Sequence, residues 1–144
     1  MTRFQFRLER VLRFRTLQLS AEELKLKRLM QEASAIDVAL AGIKQAIAHI
    51  PEQISSMADL NGSDLGFISG YGQHLARERT KTIERRHAKQ REIVRQVEMH
   101  RLARQRCELL EELKRRRLGE WQAQADLELD QLAHESYLAR WQRE

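Results

Sequence analysis

The side chains able to do chemistry are few in this chain, and their spacing does not bring them together. His74, His87 and His100 recur every thirteen residues. On a helix with 3.6 residues per turn, each such step rotates by about 140°, so three imidazoles cannot meet at one metal. His49 and His134 are isolated. Cys107 lies beside Arg104 and Arg106, a basic setting of the kind that activates a thiol, although a small residue in a helix seam has the same signature. The glutamates fall in helical steps: Glu111 attracts Arg115, while Glu108 and Glu112 form a like-charged pair. No G-x-x-x-x-G-K-[ST], G-x-S-x-G or H-E-x-x-H motif occurs. The expectation is a non-enzymatic protein with no cofactor and no metal.

The element that must carry these residues is read from Leu8 to Met57, where apolar side chains alternate in steps of four and three. With Leu12 at a heptad a site, Leu19, Leu26, Ala33, Leu40, Ile47 and Ile54 fill the following a sites. The d sites are Leu8, Arg15, Glu22, Leu29, Ile36, Ile43, Ile50 and Met57. This is a narrow apolar seam that only another helix can cover. Arg15 and Glu22 interrupt it, either to fix register or because Leu17 and Leu24, on another face, take over locally.

Composition agrees: 33% of the residues are charged and only 42% hydrophobic, with one Pro and six Gly, as in a long helix or coiled coil. The single Cys rules out an intrachain disulfide and fits a reducing, cytoplasmic setting. The basic opening has no apolar run behind it, and no window reaches membrane-spanning length, so neither a leader nor membrane insertion is expected.

The expected fold is all-α: two long helices in an antiparallel coiled coil, as a single domain. The first helix is expected over about 3–58, the turn over about 59–63 and the second helix over about 64–142. Pro51 should kink or end the first helix. Asn61-Gly62 suits a left-handed turn, with Ser63 or Asp64 capping the second helix. Four glycines between Gly62 and Gly72 predict a soft start, with a firm helix only from Gln73. The second helix has a looser pattern (Leu75, Ile83, Ile93 or Val94, Val97, Leu102, Leu109, Leu110, Leu113, Leu118, Trp121, Ala125, Leu129, Leu132), with Arg and Gln in between. A turn near residue 61 sets Leu8 opposite a residue near 114. Residues beyond about 120 then form a single-helix overhang, carrying Trp121, Leu127, Leu129, Leu132, Tyr137, Leu138 and Trp141 without an intrachain partner.

Net charge is +5 and unevenly spread: residues 1–30 carry eight bases against three acids, and residues 77–117 fifteen against seven. In an antiparallel pair these basic stretches lie partly together, a field for an acidic partner. Nucleic acid is not expected, because the basic helix lacks interleaved stacking aromatics and its arginines fall on all faces. Phe67, Tyr71 and His74, at i, i+4 and i+7, either close the end of the hairpin or form a docking patch.

Phe4-Gln5-Phe6-Arg7-Leu8-Glu9-Arg10-Val11-Leu12-Arg13-Phe14-Arg15 resembles the opening of the FliJ family of flagellar export proteins, F-x-F-x-L-x-x-V-L-x-x-R. The matching positions are Phe4, Phe6, Leu8, Val11, Leu12 and Arg15. Phe67, Tyr71 and Leu75 agree with the family's second-helix opening. Glu128-Leu129-Asp130-Gln131-Leu132-Ala133 is similar to its D-E-L-A ending, with Gln131 in place of Glu. The resemblance implies a two-helix stalk, like the central subunit of rotary ATPases, that binds and stimulates the hexameric export ATPase of the type III apparatus. It also implies contacts with the export-gate membrane protein and with export chaperones, and so a cytoplasmic protein held peripherally at the inner membrane. By position, the ATPase contact would fall on Arg3, Phe4, Phe6, Arg7, Arg10 and Arg13, with Trp121, Leu129 and Leu132 of the overhang. The gate contact would fall on Phe67, Tyr71 and His74. The same pattern suits the stalk of a virulence-type secretion system, or a general coiled-coil adaptor that dimerises. Weak homodimerisation through the overhang is compatible with it.

Overall fold

The structure is a computed structural model that describes residues 3–141. Two helices make up the fold, α1 (Glu9–Ser56) and α2 (Gly62–Trp141), packed against each other as an all-α hairpin with no strand among the described residues. The expected end of the second helix near 142 lies just outside the described residues.

Three local expectations are corrected. The first helix starts at Glu9, not near Arg3. A run of arginines in a first turn would oppose the helix dipole, whereas Glu9 favours it. Leu8 supplies the first helical acceptor, to Leu12 N–H at 2.9 Å, and Glu9 N–H donates to the Phe6 carbonyl at 3.1 Å. The turn is closed by Asn61 as an N-cap. Its Oδ1 accepts from Asp64 N–H at 2.8 Å, and its own N–H donates to Asp64 Oδ2 at 3.3 Å, a reciprocal capping box. Neither Asn61 nor Gly62 adopts a left-handed conformation. With that cap in place α2 is helical from Gly62 onward, through all four glycines. Pro51 sits inside α1, which continues to Ser56.

The chain divides into two compact units, one of Glu22–His100 and one of Met1–Ala21 with Arg101–Glu144. In the Glu22–His100 unit the protected positions of α1 are its a and d sites, from Glu22 and Leu26 to Ile50 and Ile54. Across the seam, Glu32 pairs with Lys89 and Asp37 with Arg86, each at 2.7 Å, and Glu23 lies 3.4 Å from His100. Rising numbers on α1 meet falling numbers on α2, so the helices run antiparallel. Glu22, the interruption in the d row, accepts from Gln96 Nε2 on both its carboxylate and its backbone carbonyl. For Glu22 the register-fixing reading holds, and Leu24 remains exposed, whereas Arg15 Nη1 donates within α1, to Gln18 Oε1 at 2.9 Å.

The α2 side of this seam is unexpectedly polar. Ile93 and Leu75 are buried, but so is Thr82, whose hydroxyl donates to the Glu78 carbonyl at 2.7 Å. Val94 and Val97, two of the candidates from the sequence pattern, face solvent. Lys89 is held above the ordinary lysine value of 10.5, first by its hydrogen bond to Glu32 and then by that to Glu92. Its contribution is therefore intact below pH 10.5 and is lost only as the pH rises through the raised value.

A methyl group added at Gly66 or Gly70 would meet nothing within 4 Å. Gly66→Ala and Gly70→Ala should each stabilise the protein, by roughly 0.5–1 kcal/mol from backbone entropy alone. A rise in thermal midpoint with each change would bear this out; a fall would mean that the backbone there is not helical.

In the other unit, Glu9 pairs with Lys114 at 2.8 Å, and Thr16 Oγ1 lies 3.5 Å from Cys107 Sγ. The expected placement of Leu8 opposite a residue near 114 agrees with this. Leu12, Ala103, Cys107 and Ala125 are buried, so Cys107 is a small seam residue.

Candidate docking surfaces

The first surface is built by residues 3–8, which precede α1. They are irregular chain at 3–6 and a turn at 7–8, and they meet α2 where the Phe4 and Trp121 rings pack with centroids 6.0 Å apart and planes tilted by 54°. Tilted aromatic pairs of this kind add roughly 0.5–1.5 kcal/mol beyond simple burial. Beside them runs an open groove of about 910 Å³. Phe4, Phe6, Leu8, Leu113 and Trp121 form its apolar lining, and Arg3, Arg7 and Arg117 add three guanidiniums. Arg117 also reaches Glu120 at 3.0 Å. The expectation that Trp121 belongs to a partnerless overhang is therefore corrected.

Five of the nine sequence-derived residues at this end (Arg3, Phe4, Phe6, Arg7 and Trp121) thus converge. Arg10 and Arg13 do not; they sit on exposed positions of α1, with Arg13 at 3.9 Å from Glu9. Leu129 and Leu132 lie past Ala125, where residues 126–141 are exposed without exception. Gln5, Leu8, Leu113 and Arg117 were missed as groove residues, because nothing in their spacing tells where a non-helical segment will lie.

The second surface is at the start of α2. Phe67 is 80% exposed and Tyr71 43%, with His74 exposed one turn on. They do not close the hairpin. Leu75 and Gly72 face α1 instead, and a Cβ at Gly72 would lie 3.7 Å from Ile50 Cδ1. Their exposure excludes the end-closing reading.

Among the described residues, no three His, Cys, Asp or Glu side chains are grouped to hold a metal, and no helix is long and apolar enough to cross a membrane. No family model matches the chain, and comparison with curated proteins and with solved structures likewise returns no match.

Proposed function

We propose that the chain is a non-enzymatic, FliJ-like component of a flagellar type III export apparatus. In this reading the end bearing the chain's N-terminal segment binds a hexameric export ATPase and stimulates it. The patch of Phe67, Tyr71 and His74 meets the export-gate membrane protein, which holds the chain peripherally at the inner membrane, and export chaperones are further partners. The observation that supports it most is the aromatic groove ringed by Arg3, Arg7 and Arg117, next to an exposed C-terminal helix with six large apolar side chains (Leu127, Leu129, Leu132, Tyr137, Leu138 and Trp141). Clustered aromatic and arginine residues of this kind anchor protein interfaces. The opening motif shared with that family supplies the partner's identity.

The test is to mix the purified chain with the cognate export ATPase. Faster hydrolysis and promotion of ring assembly are expected; a stable homodimer with no effect on the ATPase would overturn the reading in favour of a general adaptor. Phe67→Ala with Tyr71→Ala should abolish gate binding and leave the helical circular dichroism unchanged, and retained gate binding would remove the patch from the proposal.

A further inference from the structure

On the first turns of α1, Arg10, Phe14 and Leu17 recur at i, i+4 and i+7. That is the side opposite the seam residues Leu12 and Leu19, which α2 covers. Phe14 is 56% exposed and Leu17 69%, and exposed Val11 and Arg13 flank them. The Arg15 guanidinium lies 5.9 Å from the Phe14 ring centroid. The charge on this stretch is mostly positive, with Arg10, Arg13 and Arg15 against a single acid. Between residues 9 and 21 the sole acid is Glu9, whose carboxylate is shared between Lys114 of α2 at 2.8 Å and Arg13 at 3.9 Å. The result is a face of apolar side chains interleaved with arginines, with the Glu9 and Glu111 carboxylates at its edge beside Arg13 and Leu17.

We propose that this face of α1, built on Val11, Phe14 and Leu17 with Arg10 and Arg13, docks on an anionic lipid surface. A lipid interface takes both kinds of side chain at once. Apolar groups enter the boundary of the acyl chains, while arginine stems pack beside them and the guanidiniums reach the phosphates. A third helix is the weaker fit, since the row 10, 14, 17, 21, 24 runs on into Arg28 and Gln31 before it is long enough for a coiled-coil partner. This surface is distinct from the groove at Phe4 and Trp121 and does not depend on the identity of any protein partner.

The experiment is co-sedimentation of the full chain with phosphatidylcholine vesicles, with and without phosphatidylglycerol. Binding is expected only where phosphatidylglycerol is present, and it should weaken as salt rises. Phe14→Ser with Leu17→Ser should reduce it by about tenfold or more. Arg10→Gln and Arg13→Gln should each weaken it roughly fivefold. Arg104→Gln with Arg106→Gln on α2 should leave it unchanged, as should the helical circular dichroism of every variant. Equal binding to neutral vesicles, no binding to anionic ones, or an equal loss from the α2 changes would overturn the proposal, the last by reducing it to general charge. So would capture of an acidic amphipathic peptide by this face when vesicles are not retained. Lipid-free ATPase stimulation by the Phe14→Ser, Leu17→Ser variant separates the two readings: it persists if the lipid site is independent of the proposed function.

Discussion

Ile93→Asp should unzip the Glu22–His100 unit. Ile93 is only 8% exposed and sits on α2 between Lys89, which pairs with Glu32, and Gln96, which bonds to Glu22. The change removes about 2–3 kcal/mol of side-chain burial and forces a carboxylate into the seam without a partner, at a further cost of several kcal/mol. A hairpin of this size has a total stability of about 5–15 kcal/mol, so much of it should go. The readout is the urea midpoint followed by circular dichroism at 222 nm. The neighbouring change Val94→Asp is the control: Val94 is 60% exposed and its replacement should move stability by less than about 0.5 kcal/mol. Were the two effects reversed, the seam of α2 would have been assigned to the wrong face.

The second large effect concerns function rather than stability. A chain stopped after Ala125 should keep its thermal midpoint to within about a degree or two, since residues 126–141 are exposed and contribute little to packing. It should nevertheless lose most of its stimulation of the export ATPase, if the exposed Leu129, Leu132 and Trp141 supply anchor contacts of about 2 kcal/mol each. A truncated chain that stimulates fully would confine the ATPase contact to the groove around Phe4 and Trp121. A chain that loses its midpoint would show that the last turns of α2 hold the hairpin together.

The first helix was legible in the sequence because one physical signal dominates it. Its seam sites are nearly all aliphatic, and their period of 3.5 residues admits one face only, so the structure at least half-buries the positions the spacing marks, Leu8 and Met57 at the two ends excepted. The second helix hides its seam. Thr82, Arg86, Lys89, Gln96, His100 and Cys107 pack against α1 through small size, hydrogen bonds or long stems, and none of them stands out in hydropathy from the solvent face. Only the partner helix reveals which side is in. Asn61 and Asp64 carried a readable capping signature, three residues apart, yet Asn61-Gly62 reads equally as a tight turn, and the hydrogen bonds decided between them. The groove was half legible. Aromatic and arginine types at each end pointed to contacts, but that Phe4 would reach Trp121 depends on a helix start that dipole energetics place at Glu9.

The unequal seam has a consequence for how the protein is made. The arm with the aliphatic stripe leaves the ribosome first, and its cover, from about Gly72 to Trp121, is still to be synthesised. At about 5–20 residues per second those fifty residues take several seconds, during which α1 is greasy along its length and has no native mate. Two nascent chains on neighbouring ribosomes would each display the same stripe, whereas α2 alone has too little of one to self-pair. Faithful biogenesis therefore turns on a race between intrachain folding back and pairing with a sister chain, and slowing translation near the Asn61 turn would tilt that race toward entangled dimers.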